Sequence, residues 1–208
     1  MKLLSQSFTD GGRIPGEFAF AVPDPKSRVA LSRNLNPHFT WTDAPADTKS
    51  FALICHDPDA PTVGDDVNQE GRTVADSLPR AEFVHWVLFD LPARISEIPV
   101  GEYSGAVVPR GKPGTATPSG ARQGINDYTG WFATDNDMKG EYYGYDGPCP
   151  PWNDERVHRY VFTLYALDVE KLPPFSPLTA ALLRQTMTGH VLADAAITGL
   201  YTLNPSLL

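Results

Sequence analysis

Imidazoles and carboxylates in this chain stand at the ends of three apolar, strand-like segments that are far apart in sequence. The segments are Cys-His-Asp-Pro-Asp-Ala-Pro at 55–61, Phe-Val-His-Trp-Val-Leu-Phe-Asp at 83–90, and Gly-Pro-Cys-Pro-Pro followed by Val-His-Arg-Tyr-Val-Phe within 147–162. Strands supply a rigid frame, and polar groups placed where strands end can converge on one small pocket. We therefore predict a single anion-binding site formed by four side chains: Asp57, His85, His158 and Tyr160.

These residue types suit an anionic ligand. A cationic imidazole beside a carboxylate is stabilised, and the pair supplies charge and donors for a phosphate or a carboxylate. The turn at 147–152 adds backbone N–H donors, chiefly those of Gly147, Cys149 and Trp152, because its prolines cannot donate. Tyr160 brings a hydroxyl on an apolar ring, which could close one wall of the site.

Each of these residues also has a purely structural interpretation. Asp57 precedes a proline and could simply hydrogen-bond within a tight turn. His85 could be a buried core histidine, His158 could begin a surface strand, and Tyr160 could be a core residue. Cys149 could lie at the pocket rim, but nothing in the sequence indicates the lowered pKa that a nucleophilic thiol needs.

Common catalytic and nucleotide-binding motifs, such as G-x-S-x-G, H-E-x-x-H and G-x-x-x-x-G-K-[ST], are missing from the sequence. We therefore expect a binding protein without a cofactor. A hydrolase in which His85 or His158 is the general base and Asp57 orients it stays open as the alternative. Two histidines and Asp57 could form a facial metal triad, but their scatter gives no ligand spacing, so no metal is expected.

Length and charge narrow the class of protein. The 208 residues fit one domain over 1–208, and the net charge of −8 argues against a nucleic-acid partner and against attraction to anionic membranes. No apolar run approaches the roughly 20 residues that cross a bilayer, and the N-terminus lacks the apolar core of a signal peptide. We expect a cytoplasmic protein with no integral membrane association, whose two cysteines are thiols.

Strands and turns must position the candidate residues, since twenty prolines and seventeen glycines disfavour a helical bundle. The apolar run at 50–56 predicts a buried central strand, and 83–91 and 158–168 predict two further strands. In the strand predicted at 83–91, a period of two places four side chains on one face: Phe83, His85, Val87 and Phe89.

Four other segments have a predicted role. A helix is expected from Ser176 to about Gly189, and a last strand at 195–201. Residues 63–80 are polar and acidic, which predicts a surface loop. Ten of the seventeen glycines fall in 101–147 among several aromatic residues, which predicts an ordered loop that serves as a pocket wall or lid.

The same segments resemble the phosphatidylethanolamine-binding protein family, also called Raf kinase inhibitor proteins, and in particular its bacterial branch. Asp-Pro-Asp-Ala-Pro at 57–61 looks like the first motif of that family. Gly-Pro-Cys-Pro-Pro at 147–151 with His-Arg-Tyr at 158–160 looks like the second, and His85 falls where the family carries a pocket histidine. The resemblance covers about 51–201.

The resemblance implies a mainly β fold of two packed, mostly antiparallel sheets with short helices near the C-terminus. It also implies a small cavity for phosphate-like anions. Carried over position by position, it assigns six ligand-binding residues to that cavity: Asp57, His85, Gly147, Pro151, His158 and Tyr160. Cys149 stands where the eukaryotic motif has glycine, which would narrow the turn.

The function implied by the resemblance is non-enzymatic binding or regulation. The expected ligand is a small anion, either a phosphoethanolamine-type head group or a phosphorylated side chain. Eukaryotic members act on kinases, proteases or transcription complexes, so a regulated kinase or protease partner is an expectation of the resemblance alone. A homodimer stays open, although no apolar stripe in the sequence indicates one.

Overall fold

The structure is a computed structural model that describes residues 1–112 and 114–208. Its regular elements are mostly strands: β1 (Lys2–Leu4), β2 (Ala21–Asp24), β3 (Arg28–Leu31), β4 (Phe39–Thr42), β5 (Ser50–Pro61), β6 (Arg80–Pro92), β7 (Glu97–Ile98), β8 (Arg122–Gln123), β9 (His158–Leu167) and β10 (Val191–Tyr201). The helices are short: α1 (Tyr128–Trp131), α2 (Ala180–Thr186) and 3₁₀ turns at Gly16–Phe18 and Pro205–Leu207.

Antiparallel pairing organises these strands. The large sheet has the order β10-β9-β5-β6-β8, a second sheet has the order β1-β4-β7, and β2 pairs with β3 in a separate ribbon. The prediction of a mainly β, antiparallel fold with few short helices is therefore confirmed. Strands β5 and β9 are flanked on both sides within the large sheet, which explains their long apolar runs.

Both faces of the large sheet are buried. On one face the second sheet packs against it through aromatic pairs, with Phe39 4.8 Å from Phe162 and Trp41 5.1 Å from Phe51 between ring centroids. On the other face, Phe89 and its neighbours pack against helix α2. Asp57 and His85, predicted to stand at strand ends, lie within β5 and β6.

A β-bulge decides where His85 points. The pairing of β6 with β5 passes from Trp86 directly to Val84, so His85 is the extra residue on its strand. The prediction that His85 shares a face with Val87 and Phe89 is wrong, because the bulge turns His85 to the face that carries Trp86. Val87 and Phe89 belong to the core beneath α2.

The C-terminal elements are present with shifted boundaries. Helix α2 begins at Ala180 rather than near Ser176, because Thr179 has the extended backbone of an N-cap and its hydroxyl accepts the Leu182 N–H. The last strand begins at Val191, four residues earlier than predicted. In the described part of the chain, the helices are too short to span a bilayer.

Candidate functional site

Five of the six predicted site residues line one cavity of about 320 Å³: Asp57, His85, Pro151, His158 and Tyr160. Strands β5, β6 and β9 are neighbours in the large sheet, and each contributes at least one of these side chains. Segments that are distant in sequence therefore meet in space, as the site hypothesis requires. That these residues bind a ligand stays a prediction.

The walls of the cavity are mostly apolar. Phe20 stacks on Tyr128 with ring centroids 4.6 Å apart, and Phe83 and Trp131 complete an aromatic lining. Helix α1 supplies Tyr128 and Trp131, so part of the glycine-rich 101–147 segment forms a wall of the pocket. The loop at 63–80, expected only at the surface, contributes to the lining as well, through its buried Val67 and through Asn68.

His158 is held between two carboxylates. Its Nδ1 lies 2.7 Å from Asp57 Oδ2 and its Nε2 lies 3.0 Å from Asp154 Oδ2. Burial favours the neutral ring, but hydrogen bonds to Asp154 and Asp57, and the charges of both, outweigh burial and raise the pKa of His158 to about 9. His158 is therefore a cation at neutral pH, with both N–H groups already used. Neither nitrogen can serve as a general base.

Asp154 joins this pair to a buried arginine. Arg80 donates to both carboxylate oxygens, at 2.6 and 3.0 Å, and Asp154 is fully buried. Burial raises the pKa of Asp154, but hydrogen bonds from His158 and Arg80 outweigh burial and hold that pKa below its ordinary value. Two cations and two carboxylates, those of Asp57 and Asp154, thus compensate one another, and of these four groups Asp57 and His158 line the cavity.

His85 differs from His158 in charge. Its Nδ1–H donates to the Asp146 carbonyl at 2.7 Å, and its ring is buried. Burial lowers the pKa of His85 to about 4, despite the opposing effects of Asp57 and the Asp146 carbonyl. The ring is neutral at pH 7, and Nε2, which forms no hydrogen bond to any described residue, is an acceptor. The expectation of a cationic imidazole holds for His158 and is wrong for His85.

Tyr160 presents a free donor. Its hydroxyl is buried and has no hydrogen-bond partner within residues 1–112 and 114–208. Its ring contacts His85 edge-on at a centroid distance of 5.0 Å. Because an unpaired buried hydroxyl costs about 1–3 kcal/mol, a ligand that accepts from Tyr160 would recover that loss.

The turn at 147–151 offers fewer donors than predicted. The Gly147 amide donates to Asn34 Oδ1 at 2.8 Å, and the Trp152 amide donates to Asn68 Oδ1 at 3.0 Å. Both amides are therefore used inside the protein. Burial raises the pKa of the Cys149 thiol to about 12, so Cys149 lines the cavity as a neutral thiol. Among the described residues, no three His, Cys, Asp or Glu side chains are arranged to hold a metal ion.

Comparison with known proteins assigns the chain to a family. The family model for phosphatidylethanolamine-binding proteins matches residues 4–202. The chain belongs to the phosphatidylethanolamine-binding protein (PEBP) family. The UPF0098 protein YbhB of Escherichia coli is 32% identical over 202 residues, which covers 97% of this chain and 100% of that relative. A UPF0098 protein of Aquifex aeolicus is 33% identical over 203 residues, with 97% and 88% coverage.

A solved structure agrees with this assignment. The crystal structure of Escherichia coli YbcL, described as a new member of the mammalian PEBP family, superposes with a TM-score of 0.68. The two chains are 28% identical, and the superposition covers 97% of each. The likeness to a PEBP structure therefore extends over 97% of the chain.

Sequence reasoning missed two residues that set the protonation of the histidines in this PEBP cavity, one through charge and one through the tautomer. Asp154 fixes the charge of His158, and Asp146 fixes the tautomer of His85 through its carbonyl. The signal for Asp154 was its position four residues before His158, just after the proline-rich turn. Asp146 gave no signal, because a backbone carbonyl acts independently of its side chain.

Gly147→Ala is expected to destabilise the protein by about 2 kcal/mol. A Cβ at Gly147 would lie 2.1 Å from the Phe18 carbonyl oxygen, and backbone atoms can yield only if the turn shifts. Urea unfolding monitored by fluorescence measures the loss. Gly130→Ala is the matched control, since a Cβ at Gly130 would meet nothing within 4 Å, and it should leave stability unchanged or slightly raised. Equal effects of the two substitutions would contradict the packing role of Gly147.

Proposed function

We propose that this PEBP-family chain is a binding protein whose cavity takes a small phosphate-bearing group. The candidates are a phosphoethanolamine-type head group and a phosphorylated side chain. The observation that carries the proposal is that Tyr160, which lines the cavity beside His85, has a buried hydroxyl without a partner among the described residues. A phosphate oxygen is an acceptor that would satisfy this hydroxyl.

The charges around the cavity favour binding over hydrolysis. His158 is held in its cationic form, so it lacks the lone pair that a general base needs. Asp57 accepts from His158 through Oδ2 and from the Asp59 amide through Oδ1, at 2.7 Å each, so it does not orient His85. Burial keeps the Cys149 thiol protonated, which removes it as a nucleophile.

The size and lining of the cavity favour an organic phosphate over inorganic phosphate. A water molecule takes up about 30 Å³ in the liquid, so a lone phosphate of five heavy atoms would fill only part of a cavity of about 320 Å³. The remaining space lies against Phe20, Phe83 and Tyr128. A carbon group attached to the phosphate would bury apolar surface there.

The mouth of the cavity suits a ligand that is attached to a larger molecule. Leu31 and Trp131 both line the cavity and are 64% and 52% exposed. A partner protein that inserts a phosphorylated side chain would cover these two residues. Exposed apolar residues beside a pocket are a common feature of interaction sites.

Isothermal titration calorimetry tests the proposal. Phenyl phosphate is expected to bind roughly 10- to 100-fold more tightly than inorganic phosphate, because burying a ring contributes about 1.5–3 kcal/mol. Tyr160→Phe is expected to weaken phenyl phosphate binding about tenfold, the value of one hydrogen bond to a charged acceptor. No heat from inorganic phosphate, phosphoethanolamine or phenyl phosphate at millimolar concentration would refute the proposal.

Tyr103→Phe is the matched control for Tyr160→Phe. Its hydroxyl donates to Ser119 Oγ at 2.8 Å, and Tyr103 does not line the cavity. The affinity for phenyl phosphate should therefore be unchanged in this variant. If both tyrosine variants bind like the unaltered protein, the Tyr160 hydroxyl is not a ligand contact.

A further inference from the structure

The inner end of the cavity offers a ligand both hydrogen-bond acceptors and a donor. The Asp146 carbonyl fixes the proton of His85 on Nδ1, so the ring presents the lone pair of Nε2. Asp57 adds a carboxylate beside it. Tyr160 supplies the unpartnered O–H within the described residues. A well-matched ligand must therefore both donate and accept.

Oxyanions differ in whether they can both donate and accept a hydrogen bond. A sulfate ester is fully deprotonated and brings acceptor oxygens alone, so one oxygen would face the Nε2 lone pair without a proton between them. A monoprotonated phosphomonoester has the same shape and the same charge of minus one, but it carries one O–H donor. That single proton is the difference that His85 and Asp57 can detect.

Granted the proposed binding function, on which this step rests, we infer that the cavity selects oxyanions by their proton. It binds the monoprotonated form of a phosphomonoester, whose P–OH donates to His85 Nε2 while another oxygen accepts from Tyr160. It rejects a sulfate ester of equal shape and charge. His85 is thus a specificity-determining residue of the site.

If the ligand brings no proton, the His85 ring must carry it, because the other titratable groups that face His85 cannot supply one. They come from β5, β9, helix α1 and the 147–151 turn: Asp57, His158, Tyr160, Tyr128 and Cys149. Burial raises the pKa of both tyrosines well above the ordinary value and that of Cys149 to about 12, so these groups stay neutral. The protons of His158 are held by Asp57 and Asp154. A sulfate ester could therefore bind only if the His85 ring takes up a proton.

The fraction of phosphomonoester and the fraction of His85 that carry a proton set how much more tightly the phosphomonoester binds than the sulfate ester. At pH 6 about half of a phosphomonoester carries the required proton, since its second pKa is about 6. The His85 ring, with its pKa lowered by burial to about 4, is protonated in roughly one molecule in a hundred at that pH. The phosphomonoester should therefore bind about 50-fold more tightly than the sulfate ester.

The test compares phenyl phosphate with phenyl sulfate by isothermal titration calorimetry at pH 6, using the full-length chain. The expected ratio of dissociation constants is about 50, and phenyl phosphate affinity should fall about tenfold per pH unit above pH 7. Equal binding of the two ligands overturns the selection by proton and leaves the proposed function standing. If phenyl phosphate does not bind, both are overturned.

His85→Phe assigns the discrimination to one residue. Removal of Nε2 should bring the ratio close to one, mainly through loss of phenyl phosphate affinity. His190→Phe is the matched control, since His190 pairs with Asp168 away from the cavity, and it should keep the full ratio. A folded His85→Phe protein that still discriminates overturns the role of His85. If that variant does not fold, the ratio measured on the unaltered protein still decides the selection by proton.

Discussion

Asp154→Asn is expected to lower the free energy of unfolding by about 3–5 kcal/mol, the cost of leaving buried charges without a partner. Asp154 is fully buried and accepts from His158 Nε2 and from both terminal nitrogens of Arg80. An asparagine has the same shape, but it loses the negative charge and turns an N–H₂ group toward one of these donors. Urea unfolding at pH 7 measures the difference in stability.

The matched control is Asp76→Asn, which removes a carboxylate from an exposed ion pair. Asp76 lies 2.6 Å from Arg156 Nε and its side chain is 64% exposed, so solvent screens the interaction. The expected loss is at most about 1 kcal/mol. If Asp154→Asn costs no more than this control, the buried network does not stabilise His158 and Arg80 in the way the geometry indicates.

Stability is expected to be greatest near pH 6.5 and to fall on both sides because of the two cavity histidines. The folded-state pKa of His158 is raised from 6.5 to about 9, so its contribution is complete below pH 6.5 and is lost as the pH rises to about 9. The folded-state pKa of His85 is lowered to about 4, so its contribution is lost as the pH falls from 6.5 to about 4. Across each of these two pH ranges, the histidine concerned should lower the free energy of unfolding by about 3 kcal/mol.

Unfolding by urea from pH 4 to pH 9 measures this dependence, and His85→Phe isolates the acid side. That variant should lose less stability between pH 6.5 and pH 4 than the unaltered protein does, whereas His190→Phe should not differ. The comparison between variants is needed because the raised pKa values of Asp127 and Asp146 oppose the loss in acid. A stability that does not change between pH 6.5 and pH 9 would contradict the cationic state of His158.

The central strands around the cavity were predictable because strand formation there follows local sequence patterns. The apolar run that begins at 50 predicted strand β5, and the alternation from 158 predicted strand β9. Asp57, His158 and Tyr160 meet because antiparallel pairing places β5 beside β9. The motifs at 57–61 and 147–160 also carried the resemblance to the PEBP family, which the family match over 4–202 confirms.

The first and last residues of the elements, and the directions in which side chains point, were less predictable from the sequence. The bulge in β6 depends on how two strands pair, so the sequence period alone assigned His85 to the wrong face. Helix α2 begins at Ala180 because Thr179, and not Ser176, has the backbone of an N-cap. Gly147 was assigned to ligand binding, whereas its amide donates to Asn34 and its missing side chain makes room for the Phe18 carbonyl.

The amino-acid sequence by itself determined the strands, the family and the residue types that gather around the cavity. The charge of each histidine was decided only by the tertiary structure, because a pKa depends on burial and on neighbours that the chain brings from elsewhere. Asp57 and Asp154 keep the proton on His158, while burial leaves His85 neutral although the Asp146 carbonyl accepts from its ring. Two identical side chains thus differ in charge, since folding places one of them between two carboxylates and buries the other with a single carbonyl as its hydrogen-bond partner.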